Sequence, residues 1–273
     1  MQAILITAYK NKTYLKKVIN FFASKYKVYV HLDKKSSIEK KELKINDNVI
    51  VIKEYKINWG GINHLYAILE LLKLALSDSD ISYIHIISGQ DIPVRPLADF
   101  DFFENNKKIF MECNNVEDIP NPKIKYRYTI GTLFPNTDNR KKWVQIINFF
   151  HNLGFRKHKI DQFAEIYKGL VWSSIPAEVG KYVLNYCEKN DFVKEWKRVS
   201  IPEEFFFQTI LKNSKYTAQI VNNNLRYNDW HFRNGSNPAI LDSSDISKIE
   251  NGNYYFARKI DEKISKDLIK KYL

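Results

Sequence analysis

The chain has 273 residues, 44% hydrophobic and 27% charged, a globular composition long enough to bury a sizeable core. With 43 Lys and Arg against 31 Asp and Glu it carries a formal charge of +12, which favours an anionic partner. The lysines are dispersed, as in "DKKSSIEKKELK" and "KISKDLIKKYL". That is the pattern of a solvated face and lacks the clustered arginines and interleaved aromatics of a nucleic-acid site, so no nucleic-acid partner is expected.

The opening "MQAILITAYK" has no charged leader region and no cleavage site, and reads as a first strand rather than a signal peptide. No run of about 18 apolar residues follows anywhere, so a cytoplasmic location is expected. "AILIT", "KVYVHL", "VIVIK" and "SYIHIIS" are β-branched and aromatic, and their near-continuous apolarity predicts strands covered on both faces. Between the first two, Leu15, Val18, Ile19 and Phe22 have helical spacing. Between the last two, Ile62, Leu65, Leu69, Leu72 and Leu76 form one stripe. This alternation predicts an α/β fold with a mainly parallel central sheet flanked by helices.

"KKIFMEC" reads as a further strand, and residues 114–142, with Pro120, Pro122 and Pro135, as a substrate-side loop. Helices are expected at "RKKWVQIINFFHNL" and at "IPAEVGKYVLNYCEKN", with Pro176 near the start of the second. "TAQIVNNNLRYNDW" predicts a strand and turn. In "KIDEKISKDLIKKYL", Ile260, Ile264 and Leu268 have helical spacing with flanking lysines: either a packed helix or a peripheral contact with an anionic membrane. Two cysteines, Cys113 and Cys187, predict no disulfide framework. There is no repeat and no linker, so residues 1–273 are expected to form a single domain.

Ligands of open α/β sheets bind outside the carboxyl ends of the strands. Those ends carry Thr7-Ala8-Tyr9, Asp33, Trp59-Gly60-Gly61 and Asp91. Each aspartate alone reads as a turn or helix cap; together they mark a site. No phosphate-binding glycine loop, Cys/His metal pattern, H-E-x-x-H or G-x-S-x-G is present, and the histidines read as surface or satisfied core residues. The two D-x-D tripeptides are poorly placed for a metal. Asp78–Asp80 precedes a strand at the wrong edge, and Asp99–Asp101 looks like a helix start. "VSIPEEFFFQTIL" pairs two carboxylates with three phenylalanines. Ser200 to Glu203 fits a capping box with Pro202 in the first turn, which assigns Glu203 to structure. Glu204 is then left pointing elsewhere, with the phenylalanines as its wall.

"VHLDKKS", "WGGINHLYAILELL", "YIHIISGQDIPV", "GLVWSSI", "IPEEFFFQTIL", "NLRYNDW" and "FARKID" occur in that order. Together they resemble the core-2/I-branching β-1,6-N-acetylglucosaminyltransferase family, which also contains peptide O-xylosyltransferases (glycosyltransferase family 14). The resemblance runs from about Ala3 to Asp261. It implies a GT-A fold, a UDP-sugar donor, inversion to a β-glycoside and no metal or other cofactor. Residues 1–113 would form the nucleotide-sugar-binding part and 114–273 the acceptor-binding and catalytic part. The animal members carry a membrane anchor and stem, and this chain reads as a compact bacterial-type member serving surface polysaccharide or glycoconjugate synthesis. GlcNAc is the expected sugar, with xylose or another hexose as the alternative. A non-catalytic sugar- or nucleotide-binding protein on the same scaffold is the rival reading.

The resemblance also distributes roles. Glu204, the second acid of P-x-E, would be the base that takes the acceptor's proton. Lys259 of "FARKID" would hold the diphosphate, and Arg258 beside it either contributes or points away. The family's second cation has no clean counterpart; Arg233 is nearest, at a different spacing. Thr7, Ala8, Asp33 and Trp59 would line the donor site, with Asp91 contacting the sugar or ordering the loop. Trp230 would be a platform for an acceptor glycan, free or lipid-linked, with Trp172 a wall or a core residue and Arg127 a basic acceptor-side position.

Overall fold

β1 (Gln2–Ala8) is buried along its whole length, and its side chains divide by parity. Ala3 and Leu5 enter one core cluster, and Ile4, Ile6 and Ala8 enter the other. That division is what the two-residue period of a doubly covered strand requires. The computed structural model describes residues 1–119, 163, 165–189, 196–197 and 199–273, with 142, 145, 146 and 149 between them. Most of the predicted helix "RKKWVQIINFFHNL", much of the 114–142 loop and Arg127 lie outside the described residues.

β2 (Lys27–Leu32) and β4 (Tyr83–Ser88) flank β1 in parallel, and β3 (Val49–Ile52) pairs parallel with β2. The four strands fall where the alternation placed them. The later strands are short: β5 (Asp91–Pro93), β6 (Ile109–Phe110), β7 (Asn114–Asn115), β8 (Tyr167–Lys168), β9 (Ser174–Pro176), β10 (Ile220–Val221), β11 (Arg226–Asn228) and β12 (Phe256–Arg258). The main sheet has the order β10-β6-β9-β4-β1-β2-β3, with β9 antiparallel to both neighbours. β11, β12 and β5 make a second sheet, and β7 and β8 a two-stranded third. "TAQIVNNNLRYNDW" therefore supplies two strands to two different sheets rather than one strand and a turn.

α1 (Lys12–Ala23) buries Leu15, Val18, Ile19 and Phe22 on the Ile4/Ile6 face, as predicted. After the short α2 (Lys40–Leu43), α3 (Ile62–Leu76) covers the Ala3/Leu5 face. Its buried face runs through Leu65, Ile68, Leu71, Leu72 and Ala75, leaving Leu69 and Leu76 only partly covered. The expected stripe is thus rotated. α3 is apolar nearly all round, so spacing alone does not choose the face that meets the sheet.

α4 (Ala177–Lys189) begins immediately after Pro176, which closes β9, and packs with α5 (Phe206–Lys212) on the α3 side. α6 (Ile246–Glu250) and α7 (Lys266–Tyr272) lie on the other. The stripe through Ile260, Ile264 and Leu268 does not form. Ile260 and Leu268 are buried while Ile264 is 40% exposed. The chain turns before α7, where the Ser265 hydroxyl donates to the Leu241 carbonyl at 2.6 Å and accepts from Asp261 N–H. Among the described residues no helix is long and apolar enough to cross a membrane.

Candidate active site

The strand order locates a crevice. From β1 the chain moves outward to β2 and β3, then returns through α3 to β4 on the other side of β1. Connections therefore leave the carboxyl ends of β1 and β4 in opposite directions, the switch point at which such sheets bind ligands. A cavity of about 420 Å³ opens there. Thr7, Ala8, Asp33, Trp59, Trp172, Glu204, Trp230, Arg258 and Lys259 all line it. Residues from both halves of the chain converge on it, because β12 is carried back beside β5.

That pairing sets the cationic end. Arg258 and Asp91 are direct partners in the antiparallel β12–β5 register. Arg258 Nε stands 3.3 Å from Asp91 Oδ1, and its guanidinium lies 4.8 Å from the Trp172 ring centre. Asp91 does not reach the cavity. It is wholly buried and accepts from the Ser88 N–H at 2.7 Å and from the Ser88 hydroxyl, the geometry of loop ordering rather than sugar contact. Lys259 is half-buried, with Nζ 3.4 Å from Ser236 Oγ. Burial, then Arg258, then Lys10 push its pKa below the ordinary lysine value.

Arg233 is not at the cavity. Its guanidinium is bound by Asp229 at 3.2 Å and by Asp242 and Asp245, which hold its pKa above the ordinary range. Three carboxylates neutralise its charge, so it has none to offer a diphosphate.

The two acids of "IPEEFFF" separate, though not as a capping box. Ser200 Oγ is buried without a partner, and Ile201 occupies the cap position in the left-handed region, at φ 58°. Pro202–Glu204 form a single 3-10 turn. Glu203 is buried, and its Oε1 lies within hydrogen-bond distance of His64 Nδ1, at 2.9 Å. Glu204 faces the cavity, with Oε2 2.9 Å from Lys168 Nζ. Phe205, Phe206 and Phe207 turn inward and join the core on the α3 side instead of walling the site. The apolar lining comes from Leu170, Val171 and Trp172, with Trp59 and Trp230 at 50% and 55% exposure.

Two glycines set the backbone of this turn. The Gly169 N–H donates to the Glu204 carbonyl at 2.9 Å, and a Cβ on Gly169 would sit 1.8 Å from the Glu112 carbonyl oxygen. Gly60, at φ +64°, accepts from the Ile201 N–H at 2.9 Å and so ties the Trp59 loop to the Glu204 turn.

The Core-2/I-Branching enzyme family matches residues 3–251, nearly all of the chain and every cavity residue named except Arg258 and Lys259. The chain belongs to the Core-2/I-Branching enzyme family. It is similar to the xylosyltransferase sqv-6 of Caenorhabditis elegans, 22% identical over 88% of this chain and 32% of that protein. The sqv-6 protein of Caenorhabditis briggsae is 25% identical over 78% of this chain and 26% of its own length. The xylosyltransferase oxt of Drosophila melanogaster is 22% identical over 78% and 24% respectively. This chain therefore spans no more than 32% of the curated relatives it matches. Among solved structures, 4-diphosphocytidyl-2C-methyl-D-erythritol synthase from Anaerococcus prevotii superposes with a TM-score of 0.36 at 12% identity, over 70% of this chain and 77% of that one.

In this Core-2/I-Branching chain, two polar residues of the candidate site carry no signal in the sequence. Lys168 reaches Glu204 because β8 abuts the 3-10 turn; no local motif surrounds it. His64 follows the glycine pair of "WGGINH", a context that does not distinguish it from an ordinary surface or core histidine. His85 is a satisfied core histidine, wholly buried with both ring nitrogens bonded, while His31 is wholly buried with Nε2 accepting from the Tyr55 N–H and Nδ1 unpartnered. Burial lowers the His31 pKa to about 4 and holds that of His85 well below the usual value. Asp33 lines the cavity while its Oδ1 accepts from the N–H groups of Lys35 at 2.9 Å and Ile57 at 3.3 Å. Among the described residues no group of three or more metal-ligating side chains converges.

Proposed function

We propose that this cavity transfers a sugar from a UDP-sugar to a hydroxyl of a glycan acceptor, with inversion and without a metal. The observation that carries the reading is the convergence of Glu204, Arg258 and Lys259 on one cavity at the sheet's switch point. Family membership supplies the reaction class, and this geometry supplies its parts.

Glu204 is the base that removes the acceptor hydroxyl proton as its oxygen attacks the anomeric carbon. The bond from that carbon to the diphosphate breaks on the opposite side, and its electron pair leaves with UDP. Arg258 and Lys259 stabilise the charge that develops there. Lys168 fixes the direction of the Glu204 carboxylate. Trp172 is an inner wall, and the exposed faces of Trp59 and Trp230 suit the C–H faces of sugar rings. Thr7, Ala8 and Asp33 line the donor end.

UDP-GlcNAc is the first donor we infer, with UDP-xylose or another UDP-hexose as the alternative; the name xylosyltransferase carried by the relatives supports including UDP-xylose. The test is a donor screen on the purified chain, with UDP-GlcNAc, UDP-xylose and other UDP-hexoses against a panel of glycan acceptors. UDP release and product linkage are the readouts. Release that is donor-selective and lost in Glu204→Gln is expected. Intact UDP binding without release or transfer for any pair would favour a non-catalytic binding protein.

A further inference from the structure

β1 parity turns Thr7, like Ala3 and Leu5, toward the face covered by α3. There the first turn of α3 brings His64 against it, with Nε2 3.1 Å from Thr7 Oγ1. The other ring nitrogen, Nδ1, is 2.9 Å from Glu203 Oε1. Carboxylate, imidazole and hydroxyl thus form one chain of hydrogen bonds. All three line the cavity, and Glu203 and Thr7 are 6% and 7% exposed.

The direction of these bonds follows from what each group can do. Facing a carboxylate, which as the anion only accepts, Nδ1 is the nitrogen that carries the hydrogen. In the neutral imidazole Nε2 is then the acceptor, and the Thr7 hydroxyl donates its single hydrogen to it. What Thr7 presents to the cavity is therefore lone pairs only. The Trp172 indole lies beside the ring, at 5.8 Å between ring centres, and the buried His31 is near enough to interact with it electrostatically.

We propose that His64 is a positioning residue for the donor nucleotide. Backed by Glu203, it fixes Thr7 as an obligate hydrogen-bond acceptor, so this point of the cavity selects a nucleoside diphosphate that brings an N–H or O–H to it. The ligand half of this inference rests on the UDP-sugar reading above; the polarity of Thr7 does not.

Two measurements on the full chain separate them. Nitrogen-15 spectra of the histidine rings at mildly alkaline pH, with the His64 signals assigned by their loss in His64→Phe, read the tautomer directly. The hydrogen is expected on Nδ1; a hydrogen on Nε2 would overturn the inference. Calorimetric titration with UDP then compares Thr7→Val, Thr7→Ser, His64→Phe and the Thr7→Val/His64→Phe double variant. Loss of one hydrogen bond predicts roughly fivefold to tenfold weaker binding for Thr7→Val, retained binding for Thr7→Ser, and a double variant no weaker than Thr7→Val alone. Additive losses, or unchanged affinity in Thr7→Val, would show that His64 does not act through Thr7. Failure of the donor reading has its own signature, since the unaltered protein would then not bind UDP whatever its tautomer.

Discussion

Two adjacent glutamates do different work because their surroundings differ. Both line the cavity, but Glu203 is buried against His64, whereas Glu204 is the more open of the two and pairs with Lys168. Replacing Glu204 by Gln keeps the shape and removes the base. Turnover should fall by about 10²–10⁴, the range for a lost general base, while UDP affinity stays within about twofold. Steady-state kinetics with UDP titration reads both, and retained turnover would remove Glu204 from the role. Lys259 makes a prediction about pH. Its pKa is lowered by burial and by Arg258, so it loses its charge at lower pH than an exposed lysine. UDP prefers the charged form. Affinity should therefore weaken as pH rises through the alkaline range, and binding there should take up protons. Lys259→Arg, which stays charged, should flatten the profile, and an equally steep one would assign the titration elsewhere.

At the scale of elements, the site depends on short pieces locked together by specific contacts. Gly169 directly follows β8, where the chain passes the Glu112 carbonyl with no room for a Cβ. Gly169→Ala should cost about 3 kcal/mol of stability, measured by urea unfolding, and should lower turnover because the same residue holds the Glu204 backbone. Arg226 is the staple between sheets. From β11 its guanidinium donates to Ser174 Oγ at 2.9 Å, to the carbonyls of Ser173 at 2.7 Å and Ile86 at 3.3 Å, and to Asn224 O. It also lies 4.7 Å from the Phe256 ring centre. Arg226→Lys retains the charge but cannot span these acceptors, so a loss of about 2–3 kcal/mol is expected. A midpoint unchanged in denaturant would show that the fork is not needed. Neither residue stood out in the sequence, because the partners that make each irreplaceable come from elsewhere in the chain.

For the molecule as a whole, the UDP-sugar reading predicts stabilisation by mass action. UDP at about 100 times its dissociation constant should add about 2.7 kcal/mol, visible as a raised melting temperature. Arg258→Ala and Lys259→Ala should each reduce that shift. The metal-independent reading predicts that a strong chelator leaves sugar transfer unchanged; activity restored only by a divalent cation would reject it.

Much of this was legible beforehand. The four long strands, α1 and the existence of α3 follow from periodicity, which is a property of neighbouring residues and survives any packing. The cavity's carboxyl-end loops follow from the parallel alternation, and the ordered motifs brought Glu204, Arg258 and Lys259 forward. Tertiary structure decided the rest. It rotated α3, turned three phenylalanines into core and bound Arg233 to three carboxylates. It also placed His64 against Glu203, 139 residues away in sequence. A hydrogen bond or ion pair between distant segments has no local signature, because it comes into being only when the sheet closes and desolvates both partners together.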